Sequence, residues 1–524
     1  MPVRPPALAR AAPFAPSLRG AGAALATLLL PLVLTACGGG TGPTSLTIVG
    51  GDRALEVGAT VDLDVAEEGA DDVAWRSADP GVATVDGSGT VVAVAAGETV
   101  VTARPVGDRT GGGASVDASG DDAVSVSVHP VTRHTWTHQF GSDQADVARA
   151  VALAPDGTSW TAGHTDGAVG SADPGERDAF VRALDPDGQE RWTRQFGTAG
   201  IDAAFGVAAD GSGGVVVAGH TKAALGGPLE GTQDVFVRAF DAMGSELWTV
   251  QFGTTDLDAV SDVAVSPTGR IAVAGGTGGG LAGAPAGGFD AYVRVLDGDG
   301  TTLWTAQFGT TERDAVDAVT FDGEGDVLVA GSTRGPLRGP VSGDADVFVR
   351  RYDGAGDEEW TRQFGSPDSD TIGGIAAMSD GTAVVAGGTY GALAGGEGHR
   401  GRRDAFVRAF TAEGEVRWTR QLGTDDTDMA DAVAAGARDR LVVAGDTRGD
   451  LDGRIGGLTD AFLVALDARG VEVRRRQFGT VEDDTAVAVA VDGAESARVA
   501  GTTRGGLDGD HAGRRDAFVR AYGP

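Results

Sequence analysis

The chain has very little cysteine and lysine: Cys37 and Lys222 are the only ones in its 524 residues. A lone cysteine excludes intrachain disulfides, thiolate zinc sites and iron–sulfur clusters held by this chain. Its 42 basic residues are outnumbered by 75 acidic ones, so the net charge is −33. Because such a charge repels a phosphate backbone, we expect no nucleic-acid partner.

Long apolar runs are scarce as well. The stretch from Ala23 to Leu34 is too short to span a bilayer, but it follows several arginines, as in a secretory signal. It leads into Leu-Thr-Ala-Cys-Gly, ending at Gly38. This resembles the bacterial lipoprotein signal, which implies removal of residues 1–36 and diacylation of Cys37. The alternative is a signal peptide that ends near a cysteine by coincidence.

The resemblance implies a membrane anchor, since each buried CH₂ of an acyl chain contributes about 0.8 kcal/mol. Gly38 stands where inner-membrane retention signals usually carry aspartate. We therefore expect an exported protein, anchored at the outer membrane or cell surface. Residues 37–43 are expected to form a flexible spacer.

Residues 44–130 contain six segments of strand-like alternation, among them TVDLDV, TVVAV and VSVSV. The segment from Trp75 to Ala103 resembles the bacterial Ig-like domain of group 2, through Trp75, Asp79-Pro80, the VATV run at 82–85 and two glycines. The resemblance implies a small β-sandwich that acts as a spacer or adhesive module. No chemistry is evident in it.

A phrase close to WTRQFGT then recurs seven times, the last copy reduced to RRQFGT after Arg474. Its tryptophans are Trp136, Trp192, Trp248, Trp304, Trp360 and Trp418. A second phrase, beginning DAF or a close variant, keeps step with it. The period is 56 residues except for one of 58, whose two extra residues lie around GEGHRGRR.

Each repeat contains four strand candidates separated by turn signals, and four antiparallel strands are the number in a propeller blade. The chain enters the array on a lone fourth strand, HTWTHQF, and leaves it after a third strand, DAFVRAY. The early strand would complete the last blade and remove the exposed edges of an open array. A linear solenoid is disfavoured because no atypical capping repeats are present. We predict an all-β protein in which a seven-bladed β-propeller at 134–524 follows the Ig-like domain.

The DAFVR…WTRQFGT unit resembles the bacterial β-propeller repeat family called SBBP, which is expected to form seven-bladed propellers and has no established catalytic activity. We interpret the repeated phrase as structural. Its tryptophan and phenylalanine should fill the wedge between blades, and its glutamine should satisfy backbone groups across a blade seam.

The longer connections of every repeat should lie on one side of the ring, which makes that side the expected recognition surface. One aspartate recurs there at the start of each first strand: Asp146, Asp202, Asp258, Asp314, Asp370, Asp428 and Asp484. A ring of carboxylates could bind calcium. The favoured alternative is that each aspartate accepts hydrogen bonds within its own turn, because the chain has no Asp-x-Asp-x-Asp-Gly loop.

No catalytic constellation is identifiable. His164 and His220 occupy equivalent positions in consecutive repeats and are interpreted as variable surface residues. We expect a non-catalytic, monomeric binding or scaffolding platform for a protein or glycan ligand, with no cofactor unless calcium binds. The alternatives are an extracellular glycan-acting enzyme and an envelope-assembly scaffold.

Overall fold

The computed structural model describes residues 134–523 apart from 171–174, 397, 453–455 and 510. Before residue 134 it describes the strands given below, a few neighbouring turn residues and nothing of residues 1–47, so the leader and Cys37 lie outside the described residues. The chain divides into two compact units, Met1–Val128 and His129–Pro524.

The first unit is an arrangement of short antiparallel strands. They are β1 (Ile48–Val49), β2 (Arg53–Glu56), β3 (Thr60–Asp62), β4 (Asp64–Val65), β5 (Val73–Ser77), β6 (Ala83–Val85), β7 (Thr90–Ala93), β8 (Gly97–Pro105) and β9 (Asp122–His129). The described strands form three sheets, ordered β1-β4, β3-β7-β6 and β2-β9-β8-β5. Strands β2 and β6 were not among the six predicted segments, because each is short and lacks a clear alternation.

The second unit contains seven four-stranded antiparallel sheets, as predicted. The strands of blades 1 to 3 are β11 (Asp146–Leu153), β12 (Ser159–Thr165), β13 (Asp178–Leu184), β14 (Glu190–Phe196); β15 (Asp202–Ala209), β16 (Val215–Thr221), β17 (Asp234–Phe240), β18 (Glu246–Phe252); β19 (Asp258–Val265), β20 (Ile271–Thr277), β21 (Asp290–Leu296) and β22 (Thr302–Phe308). Those of blades 4 to 6 are β23 (Asp314–Phe321), β24 (Val327–Thr333), β25 (Asp346–Tyr352), β26 (Glu358–Phe364); β27 (Asp370–Ala377), β28 (Ala383–Thr389), β29 (Asp404–Phe410), β30 (Val416–Leu422); β31 (Asp428–Ala435), β32 (Leu441–Thr447), β33 (Asp460–Leu466) and β34 (Glu472–Phe478). Blade 7 consists of β35 (Asp484–Val491), β36 (Ala497–Thr503), β37 (Asp516–Tyr522) and the early strand β10 (His134–Phe140).

The ring closes as the sequence predicts. Strand β10 pairs antiparallel with β37, with Thr137 opposite Arg520 and Phe140 opposite Ala517. Strand β11 of blade 1 packs against β35 and β36 of blade 7. First strands of adjacent blades are neighbours all the way round, so these strands line the centre of the ring.

The apolar core lies between the blades. Seven clusters of buried hydrophobic side chains are present in the described residues, and each combines side chains from two adjacent blades. The second and third strands of each blade are buried along nearly their whole length because a neighbouring blade covers both of their faces. This packing explains why these strands show no alternation of buried and exposed residues.

The repeated tryptophan joins each blade to the next one. In blade 1 the Trp192 indole N–H donates to the carbonyl of Ala242, 3.0 Å away, in the last hairpin of blade 2. Gly244 of that hairpin has φ 75°, and a Cβ there would lie 2.7 Å from the indole ring. A glycine with positive φ at this position is therefore required both by the turn and by the tryptophan.

The loss of the seventh tryptophan follows from this contact. Blade 7 has no hairpin between its third and fourth strands, because β37 ends there and β10 arrives from the other end of the propeller sequence. A tryptophan at position 474 of β34 would have no such hairpin to cover. Arg474 takes its place.

A second link between blades was missed in the sequence. The arginine of DAFVR stacks on the phenylalanine of the preceding blade's WTRQFGT; in blade 4, for example, the Arg350 guanidinium lies 3.7 Å from the ring centroid of Phe308. The same pair occurs in five other blades. Such cation–π contacts stabilise by roughly 0.5–2 kcal/mol, more when the cation is desolvated.

The exception supports this interpretation. Blade 5 ends in Leu422 where other blades have phenylalanine, and blade 6 carries Val464 where other blades have the arginine. A buried arginine without an aromatic partner would lose the interaction that compensates its desolvation. The two substitutions therefore occur together at a single blade interface.

Candidate functional site

The seven repeated aspartates at the starts of the first strands are all fully buried. Each accepts a hydrogen bond on Oδ2 from the backbone N–H four residues earlier, at 2.6–2.7 Å. In four blades Oδ1 also accepts the hydroxyl of the threonine that ends the second strand. Their side chains therefore fasten the loops of their own blades and do not form an exposed carboxylate ring.

Replacement of one such threonine should be costly where it contacts the aspartate. Thr333 donates to Asp314, whereas Thr221, at the same repeat position, donates only to the carbonyl of Ala223. We expect Thr333→Val to lower the free energy of unfolding by about 1–3 kcal/mol, because a buried carboxylate oxygen loses its donor. Thr221→Val is the matched control, and the difference should be measured by urea unfolding. Equal losses in the two variants would contradict this role.

The repeated glutamine acts within its own blade, so the prediction that it spans a blade seam was wrong. In blade 1 the Gln195 amide donates to Gly167 O at 2.9 Å and to Asp178 at 2.8 Å, and its carbonyl accepts the N–H of Val169. All of these groups belong to the loop before β13 or to β13 itself. The glutamine thereby fixes the shape of the long loop between the second and third strands of its blade.

Calcium binding stays a prediction. In the described ranges, no group of three or more histidine, cysteine or acidic side chains has an arrangement suited to a metal ion. The described residues include the whole aspartate ring, whose Oδ2 atoms all accept hydrogen bonds as given above.

One row of side chains that differs between blades lies on the first strands. Each first strand has a β-bulge at its fourth residue. The bulge residues are Arg149, Phe205, Ser261, Asp317, Gly373, Asp431 and Val487. Bulges redirect side chains and are common beside functional sites. This row departs most clearly from the sevenfold repeat and lies on the strands that line the ring's centre.

A cavity of 480 Å³ lies among these variable positions, between blades 5 and 6. We call it the blade 5/6 cavity, and its lining residues are Tyr390, Arg402, Arg403, Thr427, Met429, Asp431, Asp446 and Arg448. Two of them follow second strands, others precede β29 or β31, and the rest lie on β31 and β32. All are on the loop-rich side. The volume is in the range of small-molecule sites, about 300–1,000 Å³.

Asp431 and Asp446 form a carboxyl pair in this cavity. The two side chains hydrogen-bond to each other. Burial and the adjacent Asp446 raise the pKa of Asp431 well above its ordinary value. Burial also raises the pKa of Asp446, while the hydrogen bond from Asp431 and the charges of Arg403 and Arg448 act in the opposite direction. Both carboxyl groups are therefore harder to ionise than an exposed aspartate, because both are buried and they face each other.

Arg403 forms the other side of the cavity. Its guanidinium donates to the hydroxyl of Thr371 and lies 5.4 Å from the ring centroid of Tyr390. It packs against Gly388, where a Cβ would lie 2.4 Å from Nε. Blade 3 also has glycine at this repeat position, and the other five blades carry His, Ser, Asp or Thr; the glycine of blade 5 leaves space for the arginine.

The interpretation of His164 and His220 as surface residues was wrong for His164, which is buried, and His220 is largely covered. Burial and the charges of Arg177 and Arg149 lower the pKa of His164 to about 3. Burial and the charge of Lys222 lower the pKa of His220 to about 4. The ring centroid of His220 lies 4.6 Å from that of Phe205. Both imidazoles are therefore neutral at physiological pH.

None of the cavity residues was identified from the sequence. The available signal was departure from the repeat: Arg403, Asp431 and Asp446 occupy positions whose residue type changes from blade to blade. Their convergence depends on strand order and on bulge placement, which the repeat alone does not show.

Comparisons with known proteins add the following. Residues 44–115 match the family of bacterial Ig-like domains (group 2), so the chain carries such a domain. The regulatory protein FlaEY of Caulobacter vibrioides is 30% identical over 242 residues, which are 43% of this chain but 24% of that protein. The chain therefore spans about a quarter of this relative's length.

Among solved structures, the Neurospora crassa Pan2 WD40 domain aligns at 12% identity with a TM-score of 0.41, covering 74% of this chain and 94% of that one. Sqt1 from Chaetomium thermophilum aligns at 12% identity with a TM-score of 0.41, covering 75% of this chain and 99% of that one. A Xanthomonas campestris gluconolactonase aligns at 12% identity with a TM-score of 0.31, covering 55% of this chain and 82% of that one. We draw no functional conclusion from likenesses of this size.

Within the part of the chain that the structure describes, there is no helix with the length and apolar character needed to traverse a lipid bilayer.

Proposed function

We propose that this chain is a lipid-anchored protein of the bacterial cell envelope, whose propeller is a non-catalytic binding platform of the SBBP repeat type. The observation that carries the proposal is that repeated and non-repeating side chains have different roles. The repeated side chains pack blades together or fasten loops, whereas several non-repeating polar ones, including Arg403, Asp431 and Asp446, line one cavity on the loop-rich side. Side chains that no structural repeat requires are the natural candidates for recognition.

The anchor is supported by the sequence of the leader. An arginine-containing segment, a short apolar run and Leu-Thr-Ala-Cys fit acylation of Cys37 after cleavage. The Ig-like domain at 44–115 would then separate the propeller from the membrane. Gly38 favours the outer membrane or cell surface over the inner membrane.

A glycan-hydrolysing activity has less support. Glycosidases place two carboxyl groups about 5–9.5 Å apart, so that a sugar bond or a water fits between them. Asp431 and Asp446 instead hydrogen-bond directly to each other. An arrangement in which one carboxyl group is the partner of the other suits binding better than hydrolysis.

Protease shaving of intact cells tests the proposal. We expect external protease to release propeller fragments from cells that express the parent chain, and metabolically supplied acyl label to be found on the protein. Cys37→Ser is the control: it should lose the label and appear in the soluble fraction. A propeller that is spared on intact cells and cleaved only after the outer membrane is permeabilised would favour the assembly scaffold. Release of reducing sugar from polysaccharide by the purified chain would favour the enzyme.

A further inference from the structure

The blade 5/6 cavity contains buried polar atoms that lack partners. Nε of Arg403 is a buried donor with no hydrogen-bond partner, and Oδ2 of Asp431 is a buried carboxyl oxygen with none. Such groups are rare in folded proteins because each costs about 1–3 kcal/mol. Both side chains line the cavity, and a ligand with hydrogen-bond acceptors and donors would supply the missing partners.

The charge of the cavity narrows the class of ligand. Its lining includes three guanidinium groups, those of Arg402, Arg403 and Arg448, against only two carboxyl groups, those of Asp431 and Asp446. The lining is therefore cationic within a chain whose net charge is −33. An anion would be attracted there, and arginine pairs with carboxylate or phosphate through two parallel N–H donors.

The carboxyl pair distinguishes these two anions. The two carboxyl groups present oxygen atoms that disfavour a phosphate dianion, whereas these oxygens can accept a hydrogen bond from a ligand hydroxyl. A ligand with one carboxylate and several hydroxyls satisfies the arginines and the aspartate together. The exposed ring of Tyr390 at the rim offers an apolar surface of the kind that small-molecule sites commonly contain.

We propose that the blade 5/6 cavity binds a sugar acid, with its carboxylate on Arg448 and Arg403 and a ring hydroxyl on the Asp431–Asp446 pair. This inference rests on the proposed function, since it names the class of ligand that the platform recognises.

Gly388 provides a way to disturb the cavity without removing a charge. A Cβ at this position would meet Nε of Arg403 at 2.4 Å and Sδ of Met429 at 2.7 Å, so both side chains must move. The backbone tolerates a side chain here, because blade 4 has Ser332 and blade 7 has Thr502 at the equivalent positions.

Titration calorimetry on the full chain tests the proposal. The probes are glucuronate, galacturonate and mannuronate, each paired with its neutral hexose, and inorganic phosphate. We expect at least one uronate to bind about tenfold or more tightly than its neutral hexose and than phosphate. Arg448→Gln and Gly388→Ser should each weaken that uronate about tenfold or more, with thermal melting showing that the fold persists.

Arg504→Gln is the matched control. Arg504 has the same repeat position in blade 7, but it is paired with Asp483 at 2.9 Å and lies outside the cavity. It should bind the uronate within about twofold of the parent. The proposal is overturned if no uronate binds, if phosphate binds more tightly, or if the two cavity variants bind like Arg504→Gln. Any of these results would reject the sugar-acid ligand. The proposed binding platform would still stand if protease shaving releases the propeller from intact cells.

Discussion

Replacement of strand β10, residues 134–140, by seven glycine and serine residues is expected to abolish the cooperative unfolding of the propeller. The strand completes blade 7 by pairing with β37. It also supplies buried Phe140 to the core between blades 7 and 1 and Gln139, whose amide donates to Asp516 at 2.8 Å. Loss of a core phenylalanine alone typically costs about 3–5 kcal/mol. Loss of the whole strand in addition leaves β37 as an exposed edge that favours aggregation.

A glycine and serine replacement of residues 282–286 is the control. These residues form an exposed part of a blade 3 loop, and their backbone donors would remain available to Gln307 and Asp290. Calorimetric melting of the control should resemble that of the parent, whereas the β10 variant should show a broad transition at much lower temperature. A sharp transition within a few degrees of the parent for the β10 variant would contradict ring closure by this strand.

Arg351→Met should be the most destabilising single substitution that we predict. Arg351 lies on β25, where every other blade has alanine or valine, and its side chain is 6% exposed. It forms ion pairs with Asp322 at 2.8 Å, Asp326 at 2.7 Å and Glu359 at 2.7 Å. The Asp322 carboxylate is fully buried, so removal of the arginine leaves an uncompensated charge. Breaking a buried pair in this way costs about 3–5 kcal/mol.

Two further variants separate this explanation from a general loss of packing. Asp322→Asn in the Arg351→Met background should recover part of the loss, because the amide oxygen can still accept the turn's N–H groups while the charge is gone. Arg338→Met removes an exposed pair with Glu358 and should cost less than about 1 kcal/mol. Denaturant unfolding measures all three. A loss below about 1 kcal/mol for Arg351→Met, or no recovery in the double variant, would contradict the buried-charge account.

Much of the propeller could be predicted because its design is repeated. The seven copies of the phrase from Trp136 to Arg474 give the number of blades, and the lone strand around Trp136 gives the way the ring closes. The role of the tryptophan also follows from repetition, since the same wedge between blades has to be filled each time. The decay to Arg474 could be recognised as an exception, although its reason needed the missing hairpin of blade 7.

The candidate site could not be predicted, and the reason is physical. Arg403 precedes β29, whereas Asp446 lies near the end of β32, and only the packing of blade 6 on blade 5 brings them to the same cavity. The side-chain direction of Asp431 depends on a bulge, which has no reliable sequence signature. Likewise, the partners of Gln195 lie in a loop of its own blade, and a repeating pattern alone does not distinguish that loop from the loop of a neighbour.

Hydrogen exchange of the backbone amides in the intact chain tests ring closure most directly, because it requires no substitution. If β10 is the fourth strand of blade 7, its amides should exchange with the same high opening free energy as those of β37, and protection should be lost from both strands together as denaturant is added. Fast exchange of residues 134–140 while β37 stays protected would show that the early strand is not part of the ring.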